Sequence, residues 1–277
     1  MNTAPRPELR VAVLQATGLV NSAAENLRRL SSQAREARRR GADLLVTPEL
    51  FVSGYAPTLV HTKDGTVHRE QLAAIAREYA IGLVASTVEH EGGRHYISAS
   101  FFNAEGTELT RYRKQNLFGS SEKSVFTPGA DAPAIVEFHG ANVALGICFD
   151  VEFPEFVRAA ALAGAELLCV PTAVPLRESD STGAQPFDTR LIPSMVVPTR
   201  ALESQVYIAY ANHAGPHFAG LSTIADPYGR HLSAAAADGE LIVANINLNT
   251  LSQARRDTDY LSRFAPGTEA NTNEGHQ

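Results

Sequence analysis

The 277-residue chain is 44% hydrophobic, with 20 Gly and 15 Pro spread through it, enough apolar material for a sizeable core. With 24 Lys and Arg against 30 Asp and Glu, its net charge of −6 offers no basic field to a nucleic-acid backbone. It contains no run of about 18 apolar residues to span a bilayer, no apolar signal core in "MNTAPRPELR", and only two cysteines, so the expectation is a cytoplasmic protein with free thiols and neither nucleic acid nor membrane as a partner.

In chain order the pattern alternates strand and helix. "RVAVLQ" (10–15) is an apolar strand. Ser22 and Glu25 stand in capping-box spacing before a helix whose apolar face is Ala23, Leu27, Leu30, Ala34 and Ala37. Arg38, Arg39 and Arg40 oppose the dipole at its end, and Gly41 stops it. "DLLVTPE" (43–49) is a buried strand with Glu49 at its C-terminal mouth, followed by a helix around "REQLAAIAREYA". Strands at "IGLVASTV" and "YISASFF" lead through the turn "NAEG" (103–106) to "TELTRYRK". Further strands are predicted at "AIVEF", "NVALGIC", "ELLCVPT", "QVYIAYAN", "LSTIA" and "LIVANINL", with one helix from Pro154 to Leu162 ended by Gly164. No linker divides the chain, so residues 1–264 read as one domain and residues 265–277 as a mobile tail.

Several strands are apolar on both faces, as in a sheet covered on each side, and ligands of such sheets gather beyond the carboxyl ends of the strands. Three chemically capable side chains fall at such ends: Glu49, Lys114 and Cys148. Singly each has a plain structural reading, a loop carboxylate, a surface charge and a small core residue. Cys169, mid-strand in "ELLCVPT", reads as packing; Cys148 differs because the helix starting near Pro154 points its N-terminal dipole at the turn, which favours thiolate. His213 and His217 have the spacing of a helical metal pair, but the Gly and Pro of "HAGPH" prevent one helical face, and no phosphate-binding glycine loop is present.

Taken together, "LLVTPELFVSGY", "RYRKQNLFG" and "LGICFDVEFPE" resemble the carbon-nitrogen hydrolase (nitrilase) superfamily, in its order of Glu, Lys and Cys. Supporting matches are "VAVLQ", "EKSVFTPG", "GAELLCVPTA", "RALESQVYIAYAN" and "GLSTIADPYG". The "YRKxxLFG" and "CFDVEFPE" forms are most similar to its small bacterial aliphatic amidases, including those acting on amides of omega-amino acids. The resemblance implies an α/β fold of four layers, α-β-β-α, pairing as a homodimer into an eight-layer assembly, with no metal or organic cofactor.

The resemblance also assigns roles. An amide is a poor electrophile, so a thiolate serves better than a hydroxyl, and a carboxylate must move the proton. Cys148 is then the nucleophile, Glu49 the general base and acid, and Lys114 with the backbone N–H of Phe149 the oxyanion donors. Glu122 of "EKSVFTPG" matches the family's second glutamate and orients Lys114 or the hydrolytic water. The implied reaction hydrolyses a small linear amide to acid and ammonia through a thioester; the alternatives are a nitrilase, an N-carbamoyl amidohydrolase, or a silent binding scaffold of the same fold, against which the retention of all three residues argues. The long connection 174–198 is expected to lean over the Cys148 mouth. It carries Glu178, Asp180 and Asp188, which, with Glu152 as competitor, are candidates to bind a cationic amino or guanidino tail.

Overall fold

The computed structural model describes residues 8–177 and 187–264. Five strands come first: β1 (Glu8–Gln15), β2 (Leu44–Val46), β3 (Gly82–Glu91), β4 (Arg94–Phe102) and β5 (Glu108–Arg113). Seven follow: β6 (Val136–Phe138), β7 (Ala141–Leu145), β8 (Leu167–Pro171), β9 (Tyr207–Ala211), β10 (Thr223–Ala225), β11 (His231–Ala234) and β12 (Glu240–Asn247). They form two six-stranded sheets, ordered β12-β1-β2-β3-β4-β5 and β11-β10-β9-β8-β7-β6. Each has a parallel centre, β1-β2-β3 in the first and β7-β8-β9 in the second, flanked by antiparallel strands.

The period-2 alternation of the strands builds the layers. In β1 and β2, Val11, Val13, Leu44 and Val46 enter a core between the sheets, where they join Leu145, Leu167, Cys169 and Ile208. The intervening Ala12, Leu14 and Leu45 face outward onto the apolar stripes of α1 (Ala23–Arg39) and, after a short α2 (Pro57–Val60), α3 (Thr66–Tyr79). A short α4 (Gly119–Lys123) precedes the second sheet, whose outer face carries α5 (Pro154–Leu162) and α6 (Val197–Ser204); α7 (Leu248–Asp257) follows β12. The result is the four-layer α-β-β-α sandwich.

Several local expectations change. The Ser22 side chain makes no cap to the helix; its hydroxyl bonds back to the Val20 carbonyl, and Glu25 pairs with Arg28. The strand predicted over 43–49 ends at Val46, and the one predicted through Cys148 ends at Leu145. In both cases the remaining residues leave the ladder to carry a side chain into the site. Helices α6 and α7 and strand β11 had no predicted counterpart. Pro193 and Pro198 each sit in the first turn of their segment, a wide π-type turn over Ile192–Val196 and then α6, where the missing N–H costs nothing. The predicted tail, 265–277, lies outside the described residues.

Candidate active site

Glu49 lies three residues beyond β2, in a segment gripped by the opposite sheet. Its N–H donates to the Thr172 carbonyl at 3.2 Å, and its own carbonyl accepts from His213 Nε2 at 2.6 Å. The next residue, Leu50, is fully buried with φ +49°, a left-handed conformation that disfavours branched side chains. Lys114 follows β5 directly. Its backbone is held by Ile97 and Gly129, and its side chain is buried.

Lys114 Nζ donates to Glu49 Oε1 and to Glu122 Oε1, each at 2.8 Å. Glu122, on α4, also accepts from the Tyr55 hydroxyl at 2.7 Å and, through Oε2, from the Phe118 N–H at 2.8 Å. Of the two roles the sequence reading gave Glu122, orienting Lys114 or the hydrolytic water, the structure shows the contact that the first requires.

Cys148 stands three residues beyond β7 at φ +48°, heading a 3-10 turn, Cys148–Glu152. Asp150 braces that turn from below. Its carboxylate accepts from Ile147 N–H at 3.0 Å, Tyr112 hydroxyl at 2.9 Å, and the backbone and side-chain nitrogens of Asn116 at 2.8 and 2.9 Å. Cys148 is buried, with 3% of the residue's surface exposed.

Electrostatics at Cys148 are set first by burial. Burial pushes the Cys148 thiol well above its ordinary pKa, the Glu49 charge adds to this, and Lys114 opposes it. The 3-10 turn separates Cys148 from the N-terminus of α5, and loss of solvent is the largest influence on the thiol. Burial likewise raises Glu49, with Lys114 and the Cys148 thiol opposing and Glu122 reinforcing. On Lys114 burial works to lower the pKa, but Glu49, Cys148 and Glu122 together outweigh it and hold the ammonium charged. The site thus sets a thiol of raised pKa beside a carboxyl group of raised proton affinity and a fixed cation. Proton transfer from sulfur to Glu49 is the event this arrangement is built to allow.

Cys148 opens onto a cavity of about 190 Å³. Phe118, Phe149, Val174, Phe187 and Ile192 give it apolar walls; Glu152, Arg177 and Thr189 add polar groups. The flanks of the 174–198 connection do lie over the mouth, as expected. Of its acids, Glu178 and Asp180 fall outside the described residues, whereas Asp188 is exposed, pairs with Arg190 at 3.8 Å and does not line the cavity. The described carboxylate that does line it is Glu152, pushed up to about 7 by burial, with Arg177, Lys114 and Arg200 opposing.

Tyr55 and Asp150 stand inside motifs recognised in the sequence, yet their contacts depend on which loops meet. His213, considered there only as a metal ligand, is committed to Glu49. Among the described residues no group of three His, Cys, Asp or Glu is placed to hold a metal ion. No helix among them is long and apolar enough to cross a membrane.

Comparison with known proteins agrees with this chemistry. The family model described as carbon-nitrogen hydrolase matches residues 10–256. A protein of Pseudomonas protegens described as a hydrolase in the pqqF 5' region is 35% identical, over 93% of this chain and 90% of its own. An (R)-stereoselective amidase of Pseudomonas sp. is 32% identical over 91% and 90%, and omega-amidase NIT2 of Mus musculus 29% over 86% and 89%. The amidase of Nesterenkonia sp. AN1 superposes with a TM-score of 0.80 at 34% identity, covering 93% of this chain and 97% of that one. In that structure, of a Glu-to-Gln mutant, the acetamide moiety of fluoroacetamide is covalently added at the active-site cysteine. Another structure of it, a Cys-to-Ala mutant, holds butyramide. With its fold, its buried Glu-Lys-Cys cluster and a family match over most of its length, this chain belongs to the carbon-nitrogen hydrolase family, among its amidases.

Proposed function

We propose that the protein hydrolyses a small linear aliphatic amide to a carboxylic acid and ammonia through a thioester on Cys148. The observation that carries this reading is the buried cluster of Cys148, Glu49 and Lys114, with Lys114 Nζ fixed at 2.8 Å from the Glu49 carboxylate. As sulfur attacks the amide carbon, Glu49 takes the thiol proton, and the oxyanion accepts hydrogen bonds from Lys114 and the Phe149 N–H. Collapse breaks the C–N bond while Glu49 returns that proton to nitrogen, and ammonia leaves. Water, deprotonated by Glu49, then attacks the thioester; the acid is released and sulfur regains its proton.

Substrate size follows from the cavity, whose 190 Å³ and apolar walls suit a short acyl chain. For its far end we infer an amino or guanidino group paired with Glu152, a charge-assisted bond typically worth about 1.5 to 3 kcal/mol. Arg177 on the same cavity supports the opposite reading, an anionic tail. A homodimer belongs to the same proposal: Leu162, Met195 and Leu202 are exposed on the outer layer of the second sheet, where a second copy would cover them.

The test is ammonia release from a panel of aliphatic amides with cationic, neutral and anionic tails, alongside nitriles and N-carbamoyl amines. Turnover of short amides supports the reading, and the preferred tail decides between Glu152 and Arg177. Turnover confined to nitriles or carbamoyl amines would overturn it.

A further inference from the structure

We propose that His213 is a positioning residue for Glu49, holding the Glu49–Leu50 peptide in the orientation that aims the carboxylate at Cys148 and Lys114. The inference rests on the reading of Glu49 as the base. His213 is fully buried on the loop after β9, in the second sheet, and donates through Nε2 to the Glu49 carbonyl at 2.6 Å. Its Nδ1 faces the Gly18 N–H at 3.4 Å, which fixes the tautomer with the proton on Nε2. Aromatic rings hold the imidazole in place: Phe218 stacks at 4.8 Å between centroids, with Tyr55 at 6.3 Å and Phe51 at 6.4 Å. Burial depresses its pKa to about 4, so it remains a neutral donor at the pH at which an amidase would work.

The carbonyl it holds belongs to a peptide with reason to rotate. Leu50 follows at φ +49°, a strained conformation for a leucine that persists only where the surroundings over-determine it. Thr172 secures the peptide nitrogen of Glu49 and His213 its carbonyl, so the base is anchored on both sides by the sheet that carries the nucleophile. His213 does not line the substrate cavity, and its loss acts through Glu49 rather than through substrate contact.

The experiment compares His213→Phe, which keeps a ring in the aromatic cage but removes the donor, with His213→Gln, which restores an N–H near the position of Nε2. Each is assayed for kcat, KM, thermal midpoint and the pH dependence of Cys148 alkylation by iodoacetamide, a readout of the thiol–carboxylate pair that needs no turnover. The expected result for His213→Phe is a fall in kcat of roughly 30- to 100-fold, KM within about twofold, and slower alkylation at neutral pH. His213→Gln should recover most of both rates. A folded His213→Phe with wild-type kcat and alkylation profile would overturn the inference. If His213→Phe does not fold, His213→Gln carries the test, and a folded Gln variant that loses as much kcat as Glu49→Gln would overturn it. Absence of Cys148 labelling in the wild-type protein would instead sink the proposed function, and this inference with it.

Discussion

Glu49 commits Oε1 to the Lys114 ammonium at 2.8 Å and leaves Oε2 with no formed hydrogen bond. The nearby Cys148 thiol lowers the carboxyl's pKa, so the open oxygen is the one available to take its proton. Glu49→Gln keeps the shape and removes the base. Ammonia release should fall by about 10² to 10⁴-fold with little change in thermal midpoint. Undiminished release would remove Glu49 from the mechanism.

Cysteine substitutions separate chemistry from packing. Cys148→Ala should abolish turnover and leave a folded protein, while Cys169→Ala, inside β8, should cost on the order of 1 kcal/mol of stability and leave kcat unchanged. Mass spectrometry after iodoacetamide should find the label on Cys148 alone.

Removing Lys114 should act on two observables at once. Lys114→Ala takes the cation from between two buried carboxylates, so we expect a stability loss of about 3 to 5 kcal/mol besides the loss of activity. Glu122→Gln retains a side chain that can bond to Phe118 and Tyr55. It should lower kcat by roughly 10²-fold with a smaller change in thermal midpoint. Calorimetry and ammonia assays on both variants would check the contrast.

Glu152 makes a prediction in pH. Its folded-state pKa, about 7, lies above the ordinary 4.5, so the folded protein binds this proton more tightly than the unfolded chain does. Its contribution to stability is therefore full below about 4.5 and lost as pH rises through about 7. Glu152→Gln should abolish that decline, seen as a thermal midpoint that falls less than wild type between pH 5 and pH 8. In the same window KM for a cationic amide should fall as the carboxyl ionises, and KM for a neutral amide should not.

Glu49 and Cys148 are legible in the sequence because each follows an apolar run with a recognisable end, and Lys114 because it closes the strand segment "TELTRYRK". Strand periodicity also fixes which of Val11, Ala12, Val13 and Leu14 face which layer. What it does not display is contact between loops distant in the chain. Tyr55 reaches Glu122 across 67 positions, Asp150 reaches Asn116 across 34, and His213 reaches Glu49 across 164. The burial that raises the Cys148 pKa is hidden for the same reason, since the local dipole is visible in sequence but burial by the opposing sheet is not. Asp188 shows the converse error: a loop acid between two cavity-lining residues, Phe187 and Thr189, alternates outward to solvent.

Glu49 and Lys114 hang from one sheet, and Cys148 from the other. The attacking atom and the group that activates it are thus mounted on separate plates, with side chains such as Val46 and Leu145 as the spacers between them. Reaction rate becomes a gauge of that gap. Trimming a spacer far from any substrate would let the plates settle by a fraction of an ångström, and turnover would register the change before the melting temperature did.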